Sequence, residues 1–195
     1  DLGWTWVSNE PWGWAPYHYG RWFYDGDYGW VWVPDTTWGP AWVAWRYDDD
    51  YVGWAPLPPG TDWRAGISVT WTNGSFDRQI APNAWCFVPS RSILDASLSA
   101  RIFPEPRNTY LINRTTFSVR FEEEGGRPAN VGLDPPWAER RVGRRIPRDR
   151  ISDVDGPSRR GGMSFYRPEI KPEPRHAPVV APEERRDAVA EQRAA

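Results

Sequence analysis

Residues 21–30, with the sequence Arg-Trp-Phe-Tyr-Asp-Gly-Asp-Tyr-Gly-Trp, are the stretch that decides the fold. Two aromatic runs flank Asp25 and Gly26, and Asp-Gly supplies the positive φ angles that a two-residue type I′ turn requires. A turn at this point places Trp22 opposite Gly29. We therefore expect a β-hairpin in which an aromatic ring packs over a cross-strand glycine.

The hairpin belongs to an internal repeat. A shift of 26 residues superposes seven residues of segment 3–15 on identical residues of segment 29–41, and three of the seven are Trp. Gly-Trp-Ala-Pro at 53–56 is a third, imperfect copy, so the number of copies lies between two and three. Aromatic residues of the repeat recur at i, i+2, which places both rings of a pair on one face of a strand. Segment 3–7 has the pattern of a second hairpin strand, and we expect a first strand to precede it.

The remainder of the chain divides into three parts. Residues 61–125 carry strand patterns at 84–88, 109–113, 116–122 and, around an Asn-Gly turn, 67–71 and 75–80, with a helix predicted over 90–103. Residues 126–155 are rich in Arg, and prolines at the first turn favour a short helix over 135–141 before an extended segment over 144–154. Residues 156–195, which we call the arm, contain Pro, Arg and Glu without a core-forming pattern, and we expect them to be extended.

These patterns predict a mainly β protein. Residues 1–60, which we call the Trp-rich module, form antiparallel β-hairpin repeats, and additional strands, one or two short helices and the extended arm complete the chain. The sequence contains no run of about 18 to 20 apolar residues, so we expect no membrane-spanning helix.

Aliphatic residues are scarce, and tryptophan takes their place. Leu, Ile, Val and Phe make up about 18% of a chain that has 15 Trp and a formal net charge of −2. The Trp-rich module alone holds 11 Trp and 6 Tyr. A unit of that size buries only about 60% of the surface of its unfolded chain. Some of these rings must therefore form an exposed apolar face, which is typical of an interaction site.

The sequence shows no pattern typical of a catalytic or cofactor site. It has no nucleophile elbow, phosphate loop or histidine-centred triad. One Cys and two His do not suffice for an internal disulfide or a zinc site. We expect no catalytic residue, no metal and no cofactor. A pair of glycosidase carboxylates is the remaining enzymatic alternative.

The Trp motifs resemble those of a known protein family. Segments 10–22, 29–43 and 51–59, with Trp-Gly-Trp-Ala-Pro and Gly-Trp-Val-Trp-Val-Pro among their motifs, resemble the bacterial exported proteins defined by a Tyr-x-Trp-Gly-x-Trp repeat, a family of unknown function. Segments 85–89, 112–116 and 143–146 also resemble the downstream part of these proteins, so the resemblance covers roughly residues 1–155. It differs in one respect, because Glu10 and Thr36 stand two residues before the Trp-Gly pairs where the repeat has Tyr. The resemblance implies export to the periplasm or cell envelope and no established activity.

We expect a non-catalytic scaffold subunit that attaches to a larger protein complex at the membrane or cell envelope. Trp, Tyr and Arg are the residues that dominate binding hot spots, and an extended Arg- and Pro-rich arm suits contact with a large partner. The residues that we expect to face the partner come from the Trp-rich module and from the Arg-rich segment. They are Trp12, Trp14, Tyr17, Trp22, Trp38, Trp42, Trp45, Trp54, Arg140, Arg141, Arg144 and Arg145.

Glycan or peptidoglycan binding is the alternative function. Flat aromatic faces stack on sugar rings, and Asp25, Asp27 and the aspartates at 48–50 are then expected to bond sugar hydroxyls. Nucleic acid is a poorer partner for the Arg-rich segment, because acidic residues are interspersed with the arginines and the isoelectric point is near 5.8. The Asp run at 48–50 lacks the ligand spacing of a calcium loop and is expected to be a solvated turn.

Overall fold

A computed structural model describes residues 2–8, 10–64, 68–71, 77, 80–148, 152–156 and 164–171. Short antiparallel strands dominate these residues, and two α-helices accompany them, so the predicted mainly β fold class is confirmed. The helices are α1 (Asn108–Arg114) and α2 (Pro135–Val142). The strands are β1 (Tyr19–Asp25), β2 (Gly29–Trp38), β3 (Val43–Tyr47), β4 (Tyr51–Pro56), β5 (Thr61–Arg64), β6 (Ser68–Trp71), β7 (Cys86–Pro89), β8 (Thr116–Ser118), β9 (Phe121–Glu124), β10 (Arg127–Asn130), β11 (Ser152–Asp153) and β12 (Ser164–Phe165).

A four-stranded antiparallel sheet in the order β7-β4-β3-β8 forms the centre of the fold. Alternate residues of its strands point to opposite faces, so the sheet is covered on both sides. Phe87, Ala55 and Leu111 of α1 lie in one buried cluster, whereas Val52 and Trp137 of α2 lie in another. The central strands are short and rich in small residues because both faces must accept large aromatic rings.

The predicted hairpin of β1 and β2 is present, but its predicted register is wrong. Trp22 lies opposite Trp32 instead of Gly29, and Asp25 pairs with Gly29 across a three-residue loop. The Asp25 carboxylate accepts two backbone N–H groups of the loop, at 2.9 and 3.0 Å. Gly29, with φ at +74°, then takes the left-handed position that follows such a loop. The aspartate side chain therefore stabilises a longer turn than Asp-Gly alone predicts.

The first copy of the sequence repeat does not form a second hairpin in the described residues. Gly3 makes an isolated bridge to Asn130, and residues 11–18 form successive turns. Ser8 packs closely at Gly13, where an added Cβ would lie 2.3 Å from the serine hydroxyl. Pro11 and Pro16 further interrupt strand pairing. Identical aromatic residues of the two copies thus lie on segments with different backbone conformations.

The predicted helix over residues 90–103 is wrong. Two 3-10 turns, Ser90–Ser92 and Leu98–Arg101, stand in its place. The Ser90 N–H donates to the Asp50 carbonyl, and the Phe103 N–H donates to the Phe87 carbonyl. Both ends of the segment are therefore tied to one region of the sheet, about 10 Å apart along β7. A straight helix of this length spans about 20 Å and does not fit between them.

The predicted strand over residues 109–113 is also wrong, because this segment is helix α1. Asn108, Leu111 and Thr115 lie at i, i+3 and i+7, and all three are buried. The Asn108 amide donates to the Trp85 and Pro82 carbonyls and anchors the start of the helix. This tertiary anchoring outweighs the β-branched and aromatic character of the segment.

The remaining predictions give mixed outcomes. The short helix after Asp134 is confirmed as α2, with the Asp134 carboxylate accepting the Trp137 N–H at 3.2 Å and Gly143 closing the helix at φ +75°. The strand over 84–88 is confirmed as β7, whereas the pattern at 116–122 forms two strands, β8 and β9. β6 pairs antiparallel with β5, the strand that precedes it in the chain. The predicted Asn-Gly turn lies outside the described residues. The arm is described at residues 156 and 164–171.

None of the helices in these described ranges has both the length and the apolar character needed to cross a membrane.

Candidate functional site

Aromatic rings of the Trp-rich module surround an open cavity of about 290 Å³. Strands β1 to β4 and the turns before β1 contribute its walls. We call this cavity the aromatic cleft. Its lining residues are Trp6, Pro16, Tyr17, Gly20, Arg21, Trp22, Trp30, Ala41, Trp42, Val43, Trp54 and Pro56.

One wall of the aromatic cleft is a row of rings. Trp6 lies between Tyr17 and Trp54, with ring centroids 5.8 and 6.3 Å away and the planes tilted. Trp12 stacks on Tyr17 at 6.0 Å and is 55% exposed, so it extends the row toward solvent. Tilted and offset ring pairs at these distances are favourable arrangements. The wall is therefore a packed aromatic strip with one exposed end.

The β1–β2 hairpin supplies further rings. Trp22 and Trp30 share one face, because their cross-strand partners are Trp32 and Tyr24. The Trp22 indole N–H donates to the Pro16 carbonyl at 2.8 Å, which fixes the ring against the turns that precede β1. Trp30 is 46% exposed and meets Tyr24 edge to face at 5.8 Å. Trp30 thus places an exposed aromatic ring at the edge of the cleft.

A buried cation holds Trp42 in place. The Arg21 guanidinium lies 3.6 Å from the centroid of the Trp42 ring and donates to the Gly20 and Thr61 carbonyls. Burial lowers the pKa of Arg21 to about 10, although the nearby Asp35 carboxylate favours its charged form. The arginine is therefore still a cation at neutral pH, and its contact with the indole is a cation–π interaction in a desolvated position.

The aromatic cleft offers few hydrogen-bonding groups. The indole N–H groups of Trp22 and Trp42 are already bonded to backbone carbonyls. The Trp6 Nε1 group is shielded from solvent and has no partner among the described residues. No carboxylate or carboxamide side chain is among the lining residues. The cleft is consequently an apolar site.

The structure brings together only part of the predicted partner-facing set. Tyr17, Trp22 and Trp54 line the cleft, and Trp12 extends it. Trp38, Trp42 and Trp45 are buried, so the expectation that they lie on a partner-facing surface is corrected by the structure. Of these three, only Trp42 borders the cleft.

The other buried rings have internal partners. Trp45 donates its indole N–H to the Asn130 side chain at 2.9 Å. Trp38 stacks on His18, with the ring centroids 5.2 Å apart. Burial lowers the pKa of His18 to about 4, so this imidazole is neutral at pH 7. These rings replace the aliphatic residues that the chain lacks.

Trp14 lies under the arm, away from the aromatic cleft. Tyr166 meets the Trp14 ring edge to face at 4.9 Å, and the Tyr19 hydroxyl donates to the Pro168 carbonyl at 2.7 Å. Phe165 is buried in the same cluster. Residues 164–171 therefore cover one aromatic face of the Trp-rich module with an extended, proline-containing segment of this chain.

Two rings of the cleft, Trp6 and Trp30, were not in the predicted set. Both belong to aromatic pairs spaced i, i+2, which was a signal that the sequence did carry. The spacing placed each pair on one face of a strand but did not say which face is covered by the rest of the chain. Trp6 also lies outside any described strand, because residues 5–8 have no regular structure.

The predicted arginines lie on and after α2, on a different part of the surface. Arg140, Arg144 and Arg145 are exposed, and Arg144 donates to the Leu94 carbonyl at 3.3 Å. Arg141 forms an ion pair with Asp49. Three of the four predicted arginines thus remain accessible, whereas Arg141 is engaged within the chain.

The aspartates that were candidates for sugar hydroxyls have structural roles. Asp25 closes the β1–β2 loop, and Asp48 accepts a hydrogen bond from Arg114 at 2.6 Å. Burial opposes ionisation of Asp48, but the hydrogen bonds from Arg114 and the backbone lower its pKa below the usual value. Asp50 pairs with the same arginine. The acidic turn at 48–50 therefore ties α1 and α2 to the central sheet.

The fold and the cleft define a mainly β protein with an open cavity lined by aromatic rings. Residues 1–61 match a family model described as a family of unknown function, DUF6600. This match covers the Trp-rich module, where the sequence resemblance was strongest, and it agrees with a family that has no assigned function. No curated protein and no solved structure matches the chain.

Proposed function

We propose that this chain is a non-catalytic, extracytoplasmic protein-interaction subunit that uses its aromatic cleft to attach to a larger envelope or membrane-associated assembly. The observation that carries the proposal is the cleft itself, an open site with six aromatic rings in its lining. Aromatic residues in partly desolvated pockets contribute most of the binding free energy in protein interfaces. An exposed ring such as Trp30, which is not needed to fill the core, is available for this role.

The lining chemistry favours a protein partner over a glycan. Sugar rings stack on indoles, but their hydroxyls also need carboxylates, amides or other polar groups with fixed geometry. The lining of the cleft has neither carboxylates nor carboxamides, and Asp25 and Asp48 are engaged in turns. An apolar polypeptide segment leaves fewer polar groups unpaired in such a site.

The extracytoplasmic location rests on the sequence resemblance to exported Trp-rich proteins. The family match to residues 1–61 supports the relationship at the module that carries the cleft. A scaffold role adds the exposed Arg140, Arg144 and Arg145 as a second contact surface, suited to acidic protein surfaces.

A photo-crosslinking amino acid placed at position 30 tests the proposal. We expect the full-length chain carrying this residue to form a discrete protein adduct in the native envelope fraction after irradiation. The matched control places the same residue at position 110, because Tyr110 is 57% exposed on α1 and is not among the cleft residues. Mass spectrometry identifies the adduct. Recovery of only the free monomer from position 30, or equal adducts from both positions, contradicts the proposal.

A glycan ligand gives a different result. Enrichment of the chain on insoluble peptidoglycan that depends on Trp30, without any protein adduct, assigns the cleft to sugar binding.

A further inference from the structure

We propose that the occupant of the aromatic cleft is a proline-rich segment of a partner protein, in the extended polyproline II conformation and flanked by basic residues. This inference rests on the proposed function, which leaves the chemistry of the partner open. Three features of the molecule lead to it. They are the shape and composition of the cleft, the way in which the chain already binds an extended segment, and the charge of the surrounding surface.

The cleft has the composition of a site for polyproline II chains. Proline-rich segments bind grooves lined by aromatic rings, because the preformed helix loses little conformational entropy on binding and its proline rings fit between flat faces. Trp6, Tyr17, Trp22, Trp30 and Trp54 present such faces around a single cavity. The cavity volume of about 290 Å³ corresponds to roughly ten water molecules, so the site has room for part of such a chain.

The hydrogen-bonding capacity of the cleft also fits this occupant. A polyproline II chain makes no internal hydrogen bonds, so its carbonyl oxygens are free to accept, whereas proline has no N–H to donate. The lining has indole and phenol groups that can donate to such carbonyls, it has no carboxylate or carboxamide side chain, and the Trp30 ring is exposed. A lining without strong acceptor side chains suits a ligand that accepts and does not donate.

The chain already binds an extended proline-containing segment in a similar way nearby. At the Trp14 face, the Tyr19 hydroxyl donates to the Pro168 carbonyl at 2.7 Å, and Tyr166 packs on the Trp14 ring. Arg167 lies over the Trp38 ring, 4.9 Å from its centroid. An aromatic hydroxyl to a proline carbonyl and an arginine over an indole are the contacts that we expect in the cleft, supplied there by a separate polypeptide.

Charge around the cleft indicates basic residues in the ligand. The only two arginines of the Trp-rich module, Arg21 and Arg46, are both buried. Glu10 is exposed and close enough to Tyr17 to add to the effect of burial in raising the pKa of that hydroxyl. Glu10 thus places a carboxylate beside the cleft, with no accessible cation of the Trp-rich module to balance it, and basic residues that flank a proline run complement it.

The test is a titration of the full chain with a synthetic decaproline peptide that carries two arginines at each end, followed by tryptophan fluorescence. We expect saturable binding, with at least tenfold weaker binding of a peptide in which Gly and Ser replace the prolines. A decaproline peptide with glutamates at its ends is expected to bind several-fold more weakly, and the difference is expected to shrink at high salt.

Variants locate the binding to the cleft. Trp30→Ala removes an exposed ring and is expected to weaken binding about tenfold or more. Tyr110→Ala, an exposed aromatic residue on α1, is the matched control and is expected to bind as the parent chain does.

The inference is overturned if the full chain shows no saturable binding, if the Gly-Ser peptide binds equally well, or if Trp30→Ala has no effect. Equal binding of the arginine and glutamate peptides overturns the assignment of basic flanks. The proposed function is judged separately. A protein adduct at position 30 whose crosslinked segment has no proline keeps the interaction role and overturns the proline-rich occupant.

Discussion

At the scale of single residues, one buried asparagine connects the parts of the molecule. Asn130 is fully buried, and its side chain accepts from the Trp45 indole at 2.9 Å and donates to the Ala41 and Val43 carbonyls. It also accepts the Gly132 backbone N–H. Nothing in the sequence around Asn130 gave a sign of this role, because a hydrogen-bonding network depends on which backbone groups the fold brings together.

Asn130→Ala is expected to destabilise the protein by about 3 kcal/mol or more, because it leaves several buried polar groups without partners. Urea unfolding followed by fluorescence measures the change. Asn83→Ala, at an exposed asparagine in the 3-10 turn Pro82–Ala84, is the matched control and should change stability by no more than about 0.5 kcal/mol. Equal stability of the two variants contradicts the connecting role of Asn130.

His18 makes stability depend on pH. Burial holds its pKa at about 4, below the ordinary 6.5, and the nearby Arg167 cation acts in the same direction. The unfolded chain therefore binds the proton more readily than the folded chain between these values. The stability that comes from keeping His18 neutral is complete above pH 6.5 and is lost as the pH falls to about 4.

The expected loss is about 3 kcal/mol over this range. The measurement is the urea unfolding free energy of the parent chain and of His18→Gln at several pH values between 4 and 7. The variant should show a shallower dependence on pH, since it lacks the titrating group. Parallel pH profiles for the two proteins count against this account of His18.

At the scale of elements, the sequence predicted secondary structure best where a clear residue pattern adjoins a recognisable turn or helix cap. The period-two Trp pattern predicted β1 and β2, and the capping signals around Asp134 predicted α2. It was least informative where tertiary contacts decide the backbone. α1 reads as a strand but is anchored through Asn108, and residues 90–103 are bent because both ends bond to neighbouring strands.

The segment of the arm at residues 164–171 is attached by ring contacts, an ion pair between Arg167 and Asp153, and one hydrogen bond from the Tyr19 hydroxyl. Tyr19→Phe removes the donor to the Pro168 carbonyl and is expected to weaken attachment by about 1 kcal/mol. Hydrogen exchange at residues 166–170 should then become several-fold faster, while the central sheet is unchanged. Tyr28→Phe, at a 39% exposed loop tyrosine, is the control. Unchanged exchange in Tyr19→Phe would show that this hydrogen bond does not contribute to holding the arm.

At the scale of the whole molecule, the surplus of indoles is divided between core and surface. Among the 14 Trp whose side chains the structure describes, five are buried, seven are half-buried, and Trp12 and Trp30 are exposed. The C-terminal part of the chain covers some of the rings, through Asn130 at Trp45 and Phe165 at Trp38. Among the residues that the structure describes, none of the C-terminal part lines the aromatic cleft.

The sequence predicted this surplus from composition and size, and Trp12 of the predicted partner-facing set is exposed. It did not predict which rings would be covered, because that depends on how Asn130 and residues 164–171 pack against the Trp-rich module. Trp38 and Trp45 have the same i, i+2 or repeat context as cleft residues, yet they end in the core. Local periodicity fixes relative orientation along a strand, whereas burial is a property of the assembled layers.

The central claim is that the aromatic cleft attaches this chain to a larger protein assembly. The most direct measurement is the sedimentation of the full chain in the native envelope fraction, compared between the parent, the double variant Trp12→Ala/Trp30→Ala and the control Tyr110→Ala. The account predicts that the parent and the control sediment with a large complex, whereas the double variant sediments as a free chain with an unchanged melting temperature. Sedimentation of the folded double variant together with the complex, or of the parent as a free monomer, would contradict it.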